Sequence, residues 1–258
     1  MRSRHPGLRV GVLTPHAAPG PEVEIPEMTS FAGLDIVVAR ISRERHPTAI
    51  RPSQSSAAAH LRTLATPSAL HQAVAQLRQA SVDVIAYAST TSGYAIGHAA
   101  EVDLTGHLSQ MAGVPVVSSA LAGTQALKAL DVHRVALIHP PWFEEAFTDL
   151  AAAYFRDQGI ETVIRTATPL PKDPERVRPG HVIDWVSRHV DPSTEAIFIA
   201  GNGFRAARAI EEIERRTGQP VLEANQVLLW SILAATGTTL NVQGYGSLFR
   251  PSGPHAFQ

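Results

Sequence analysis

The protein has 258 residues, of which 44% are hydrophobic and 17% are charged, so it can bury a substantial core and is not a disordered protein. A formal net charge of -1 removes the electrostatic argument for nucleic-acid binding. The absence of cysteine excludes disulfides, thiolate metal sites, iron–sulfur clusters and thiol nucleophiles. No apolar segment approaches a membrane span, so we expect a cytoplasmic protein without membrane association.

Short β-rich runs alternate with helical stretches along the chain. The predicted strands are Arg9 to Thr14, Asp35 to Arg40, Val82 to Ala88, Val114 to Val117, Arg134 to Ile138, Glu161 to Arg165, Ala196 to Ala200 and Pro220 to Leu222. The predicted helices are Pro67 to Ala80, Ala99 to Met111, Ala120 to Leu130, Trp142 to Gln158, Val182 to His189, Phe204 to Thr217 and Asn225 to Thr236. Two stretches rich in Pro, Ser and Arg are predicted to be loops, Ser42 to Thr66 and Thr168 to Gly180, and we expect the first to cover the ligand-binding cleft.

This alternation predicts an α/β fold with parallel sheets covered by helices. The order strand, loop, helix, Gly-x-Pro-Val, helix occurs twice, with the short motif at residues 113–116 and 218–221. The repeat favours two pseudo-symmetric doubly wound lobes with a cleft between them. We place residues 1–117 and 223–258 in the first lobe and residues 118–222 in the second. The alternative is that any doubly wound protein repeats strand and helix.

Two loops follow predicted strands and are expected at the cleft, because ligands of parallel sheets bind beyond the carboxyl ends of the strands. The first loop, residues 88–93, contains four consecutive hydroxyl residues, Ser89, Thr90, Thr91 and Ser92. Hydroxyls and free backbone N–H groups suit an anion and need no arginine to hold one carboxylate. The alternative is that these residues only cap a helix.

The second loop, residues 200–204, contains Gly201, Asn202 and Gly203. The glycines permit close backbone approach to a ligand, although a strained turn without a ligand explains them equally well. No His or Cys spacing typical of a metal site occurs, so we expect no metal.

Several segments together resemble the aspartate/glutamate racemase superfamily, and within it the branch of arylmalonate decarboxylase and maleate cis-trans isomerase. These segments are residues 10–15, residues 24–28, the two loops, residues 210–214, residues 218–221, Asn225-Gln226 and residues 244–249. The resemblance covers almost the whole chain. It implies two pseudo-symmetric α/β lobes, no cofactor, and a small carboxylate bound between them.

The chain departs from this family at the residues that carry its chemistry. Ser89 and Gly201 stand where most members have cysteines, although arylmalonate decarboxylase has glycine at the first position. Thr90 and Thr91 match positions that, in the decarboxylase, donate hydrogen bonds to a substrate carboxylate or enediolate. The loop of residues 16–20, which follows Pro15, resembles the proline-and-alanine loop of the decarboxylase more than the asparagine-bearing loop of the isomerases. The resemblance therefore implies the pocket more directly than the reaction.

A serine hydroxyl is essentially never ionised at neutral pH, so Ser89 needs a neighbouring base to move a proton. His16 and His139 both follow predicted strands, where they are placed to reach the cleft. Our hypothesis is that one of them transfers the proton that a thiol carries in the family. Each, as one of 12 histidines, has a structural role as its alternative.

The sequence thus predicts a cofactor-independent, decarboxylase-like lyase that acts on a small carboxylic acid. Ser89, His16 and His139 are the predicted catalytic residues, and Pro15, Thr90, Thr91, Gly201, Asn202 and Gly203 the predicted substrate-binding residues. Decarboxylation ranks first because it needs oxyanion stabilisation and one proton donor, which is less than racemisation needs. The alternatives are a cysteine-independent isomerase, racemase or hydratase of a small dicarboxylate, and a non-catalytic carboxylate-binding protein. Whether subunits pair as a homodimer is left open.

Overall fold

A computed structural model of the protein describes residues 7–16, 19–41 and 55–250. The strands are β1 (Leu8–Thr14), β2 (Leu34–Arg40), β3 (Val84–Tyr87), β4 (Val116–Ser118), β5 (Arg134–His139), β6 (Glu161–Ala167), β7 (Ala196–Ile199) and β8 (Val221–Glu223). The helices are α1 (Pro21–Met28), α2 (Ser55–Leu64), α3 (Pro67–Gln79), α4 (Thr90–Ile96), α5 (His98–Ala112), α6 (Ser119–Ala129), α7 (Glu145–Arg156), α8 (Pro179–His189), α9 (Ile210–Thr217) and α10 (Ala224–Thr236). Short 3-10 turns span Pro174–Arg176, Ala207–Ala209 and Ser247–Phe249.

The strands form two parallel four-stranded sheets of the same topology. Their orders are β2-β1-β3-β4 and β6-β5-β7-β8. Helices cover the sheets, and every residue of the central strands β3 and β7 is buried. The predicted fold of two pseudo-symmetric α/β lobes is therefore confirmed. The predicted residue boundaries between the lobes stay a prediction.

Equivalent backbone contacts show how closely the two halves repeat. Gly113 and Gly218 end helices α5 and α9 in the left-handed region, with φ of 71° and 72°, where a residue without Cβ is favoured. At the strand ends, the N–H of Ala88 donates to the carbonyl of Leu13, and the N–H of Ala200 to that of Ile138, both at 2.8 Å. The repeated Gly-x-Pro-Val motif thus marks the same helix end in both lobes.

The structure corrects the secondary-structure prediction at several places near the site. Helix α2 lies inside the stretch Ser42 to Thr66, so the prediction that this whole stretch is a loop is wrong. Residues 42–54 lie outside the described residues, and the expectation that this stretch covers the cleft stays a prediction. Helix α4 begins inside the first loop. The predicted helix Phe204 to Thr217 becomes regular only at α9, since Arg205 has a φ of 56° that no helix accommodates.

Helix α10 connects the two lobes. It is apolar on nearly all sides, and it packs against α6, β3, β4 and β8. Its first turn is capped by the buried Glu223 side chain, which accepts hydrogen bonds from the N–H groups of Asn225 at 2.8 Å and Gln226 at 3.0 Å. The N-terminus of α10 is thereby fixed close to the second loop. In the described part of the chain, no helix is long and apolar enough to span a bilayer.

Candidate active site

A cleft of about 600 Å³ lies beyond the carboxyl ends of the strands. Residues from both lobes line it: Pro15, His16, Arg40, Ile41, Thr90, Thr91, Trp142, Phe143, Pro174, Gly201, Asn202 and Gly203. All six predicted substrate-binding residues and His16 are among them. Ser89 and His139 are not.

The first and second loops meet at the base of the cleft. The backbone N–H of Thr90 donates to Oδ1 of Asn202 at 3.3 Å, although 112 residues separate them along the chain. Thr90 and Thr91 open α4, so the hydroxyl run is the first turn of a helix. The structure thus brings together the two loops that the sequence places at a common cleft.

Ser89 serves as the N-cap of α4 and is fully buried. Its Oγ accepts the N–H of Ser92 at 3.2 Å and lies 2.8 Å from Oγ of Ser92 and 3.3 Å from Oγ1 of Thr91. The same oxygen lies 3.4 Å from Nε2 of His16. Ser89 therefore caps a helix, as the alternative interpretation of the hydroxyl run predicts. Its contact with His16 connects this cap to a residue that lines the cleft.

His16 is the histidine that the structure brings into the cleft. Burial, and then the positive charge of Arg40, lowers its pKa from the ordinary value. The main chain of His16 is held on both sides: its N–H donates to Oγ1 of Thr14 at 3.2 Å and its carbonyl accepts from the Arg40 guanidinium at 3.1 Å. This ring therefore has a defined position and a proton affinity set by the cleft.

His139 lies outside the cleft. It is the last residue of β5 and fully buried, with its ring stacked on Phe143 and packed edge-on against Tyr94. Among the described residues, neither ring nitrogen has a hydrogen-bond partner, and burial lowers its pKa to about 3. A neutral ring that does not face the cleft is poorly placed to give a proton to a substrate, so the structure assigns His139 to the core rather than to the site.

The backbone of the second loop leaves no space for a side chain at Gly201. Its φ is 93°, and an added Cβ would lie 2.7 Å from Cγ of Pro140. Gly203 differs, because an added Cβ there meets no described atom within 4 Å. The position at which most of the resembling family carries its second cysteine is therefore closed to any side chain in this conformation.

A buried hydrogen-bond network supports the second loop from below. Nδ2 of Asn202 donates to Oγ of Ser119 at 2.9 Å and to Oδ1 of Asn225 at 2.8 Å. Nδ2 of Asn225 donates to the carbonyl of Asn202 at 2.9 Å and to Oε2 of Glu24 at 2.6 Å. Oε1 of Glu24 accepts from the N–H of Ala207 at 2.9 Å. All of these groups are buried.

Two carboxyl groups under the site have raised pKa values. Burial raises the pKa of Glu24 to about 7, against the opposing effect of its hydrogen bond from Asn225. Burial and the nearby Glu24 charge also raise the pKa of Glu223. The network thus lies in a dry environment, where a donor or acceptor without a partner is costly.

Several residues of the site do not emerge from sequence reasoning. Arg40 is the last residue of β2, which lies beside β1, and it forms an ion pair with Glu22. It lines the cleft, although the sequence analysis does not require an arginine to hold a carboxylate. Its position at a strand end is the signal that identifies it. Glu24 and Asn225 lie in segments that carry the family resemblance, but nothing in their spacing indicates that they touch.

Comparison with known proteins agrees with the resemblance. A model of the arylmalonate decarboxylase family matches residues 67–249. The chain belongs to that family. It is 26% identical over 181 residues to the arylmalonate decarboxylase of Bordetella bronchiseptica, covering 69% of this chain and 75% of that protein. It is 27% identical over 185 residues to the maleate isomerase of Pseudomonas putida, covering 67% and 72%.

Solved structures with this fold include a maleate cis-trans isomerase from Nocardia farcinica, whose structure contains a covalently bound succinylcysteine intermediate. The TM-score is 0.80 and the identity 23%, over 95% of this chain and 99% of that one. This likeness supports the fold. Membership of the family supports activity of the decarboxylase or isomerase type.

Proposed function

We propose that the protein is a cofactor-independent lyase that decarboxylates a small carboxylic acid, with His16 as the proton donor. One observation carries the proposal: Thr90 and Thr91, residues 201–203 and His16 all line the same cleft. Hydroxyl and amide donors aimed at one place stabilise negative charge that develops on a carboxylate.

In the proposed reaction, the bond between the α-carbon and one carboxyl group breaks and carbon dioxide leaves. The bonding electron pair passes into the remaining carboxylate, which becomes an enediolate. Thr91 and the backbone around Asn202 would stabilise this dianion, and the positive charge of Arg40 would add to that field. The imidazolium of His16 then gives its proton to the α-carbon, and the neutral ring regains a proton from solvent.

A thiol-based isomerase is the less favoured candidate. The Nocardia farcinica relative contains a succinylcysteine, and this chain has no cysteine with which to form one. The closed position at Gly201 supports chemistry that does not use a side chain there. Isomerisation or hydration through His16 and water, and binding without turnover, remain the alternatives for the experiment to separate.

The experiment is a screen of substituted malonates, maleate and amino-acid analogues for carbon dioxide release, product formation and thermal stabilisation. We expect at least one malonate to be decarboxylated and to raise the melting temperature. Thr91→Val, which removes the hydroxyl and keeps the shape, should weaken binding of that acid about 10- to 100-fold. Thr124→Val, on the buried face of α6 away from the cleft, is the matched control and should leave binding unchanged.

Stabilisation without turnover of any acid would indicate a binding protein, and conversion without carbon dioxide release an isomerase or hydratase. Either outcome would contradict the proposed decarboxylation. An equal loss of binding in both threonine variants would remove Thr91 from the proposed site.

A further inference from the structure

We propose that Glu24 is a positioning residue that fixes the orientation of the Asn225 and Asn202 side-chain amides, and thereby holds the first and second loops together. Glu24 lies on α1, outside the cleft lining, so it is not a catalytic residue. Its link to activity rests on the proposed function, whereas its link to the geometry of the loops does not.

The two asparagine side-chain amides each have a defined polarity. Each side-chain amide has an oxygen that accepts and an NH₂ group that donates, so rotation by 180° exchanges donor for acceptor. In Asn225 the NH₂ group donates to Glu24 and to the Asn202 carbonyl, and the oxygen accepts from Asn202. In Asn202 the NH₂ group donates to Ser119 and Asn225, and the oxygen accepts from Thr90. Neither amide has an unused N–H group.

Glu24 sets the polarity of this hydrogen-bond network, because an ionised carboxylate has no donor. Both of its oxygens face donors, the N–H of Ala207 and the NH₂ of Asn225, and above about pH 7, the value to which burial raises its pKa, Glu24 is ionised and only accepts. Asn225 must therefore turn its NH₂ group toward Glu24 and its oxygen toward Asn202. Asn202 must in turn direct its own NH₂ group at Asn225, which leaves its oxygen for the N–H of Thr90.

The consequence reaches both walls of the cleft. The bond from Thr90 to Asn202 joins the first loop to the second, and the bond from Asn225 to the Asn202 carbonyl fixes the peptide plane that leads into Gly203. All members of the network are buried, so water is a poor substitute for a lost partner. A polarity error at Glu24 would therefore propagate to Thr90.

Glu24→Gln introduces such an error with almost no change in shape. The glutamine amide has one oxygen for two donors. If its oxygen faces Ala207, its NH₂ group opposes that of Asn225; if it turns over, its NH₂ group opposes the N–H of Ala207. Asn225 can relieve the first conflict only by rotating, which places two NH₂ groups together at Asn202. Every arrangement leaves one buried conflict between like groups.

The double variant Glu24→Gln with Asn225→Asp restores the polarity. The glutamine oxygen accepts from Ala207, and its NH₂ group donates to one oxygen of the new aspartate. The other aspartate oxygen accepts from Asn202, so the Asn202 oxygen still faces Thr90. The hydrogen bond from residue 225 to the Asn202 carbonyl is replaced by a contact between two oxygens, so the rescue is partial, but the number of carboxylates is conserved.

Hydrogen exchange of individual backbone amides, measured by NMR at about pH 8, where Glu24 is mostly ionised, tests this inference without any ligand. Thr90 N–H is the reporter, because its partner is Asn202. Ser92 N–H, on the same helix and bonded to Ser89, is the internal control. Glu27→Gln is the control variant, because Glu27 lies on the same helix α1 and the substitution removes its ion pair with Arg208.

In Glu24→Gln we expect exchange at Thr90 to be at least tenfold faster, with Ser92 unchanged within about twofold. The double variant should recover part of the protection at Thr90, and Glu27→Gln should not differ from the wild type. With an acid that the protein decarboxylates, the single variant should lower kcat more than it raises KM, and the double variant should recover part of kcat.

Unchanged exchange at Thr90 in Glu24→Gln would overturn the inference, as would equal acceleration at Thr90 and Ser92 or a double variant without recovery. If the single variant does not fold, a folded double variant with a protected Thr90 supports the inference, and failure of both overturns it. Since exchange requires no turnover, a protein that converts no acid would contradict the proposed function and leave this test intact.

Discussion

His16→Gln should lower the rate of decarboxylation about 10²- to 10⁴-fold, the usual contribution of a positioned general acid. Glutamine keeps a hydrogen-bonding group near Ser89 but has no proton to transfer at any working pH. Binding of the acid should change little, because Thr91 and the second loop are untouched. The measurements are kcat and KM for the variant, beside ligand-dependent melting temperatures.

The lowered pKa of His16 predicts the direction in which kcat changes with pH. The cleft lowers the pKa of His16, so the protonated ring is the minor form at neutral pH and becomes more abundant as the pH falls. The wild-type kcat should therefore rise as the pH is lowered from 7, and the variant should lose this dependence. His107→Gln, an exposed position on α5, is the matched control. A variant that keeps both the rate and the pH profile would exclude His16 as the proton donor.

His139→Phe should make the free energy of unfolding much less sensitive to acid. The folded protein holds this ring neutral, with a pKa near 3, whereas the unfolded chain protonates it near its ordinary value of 6.5. As the pH falls below 6.5, the unfolded state binds one more proton than the native state. The wild type thus loses about 1.4 kcal/mol of stability per pH unit from this residue alone.

The carboxyl groups act in the opposite direction. Burial raises the pKa of Glu101 to about 7, as it does for Glu24. Their contribution to stability is fully present below their unfolded pKa and is lost as the pH rises toward 7. Wild type and variant share these carboxyl groups, so the difference between their unfolding free energies isolates His139.

Denaturant titrations at several pH values between 7 and 4.5 measure that difference. We expect it to widen in favour of His139→Phe by about 2 to 3 kcal/mol over this range. Phenylalanine also stacks on Phe143 and has no ring nitrogen to leave unpaired. His107→Gln should remain parallel to the wild type. A difference that stays constant with pH would mean that His139 is not held neutral in the core.

The sheet architecture is predictable from the sequence because its signals are local. The apolar runs of β3 and β7 lie between turn residues, and Gly113 and Gly218 end helices in a backbone conformation that glycine favours. Helix α1 is not predicted, since Pro26 interrupts its pattern and the helix packs against α10, which is distant along the chain. Residues 89–92 are predicted to be a loop but include the start of α4, because Ser and Thr are common both in loops and at helix N-termini.

The site is predictable only in part, since it depends on which face each residue takes. His16 and His139 both follow predicted strands, but β5 extends one residue further than predicted, and His139 pairs with Ala167 inside the sheet. That single residue of strand decides between cleft and core. The network from Glu24 to Thr90 joins positions far apart in the chain, and no pattern of spacing encodes such contacts.

A crystal structure of the protein with malonate tests the central claim most directly, namely that the two loops form one acid-binding cleft without sulfur. We expect a carboxylate within hydrogen-bonding distance of the Thr91 hydroxyl and of the backbone of residues 201–203, with the His16 ring facing the adjacent α-carbon. Malonate bound away from both loops, or held by only one of them, would contradict the account.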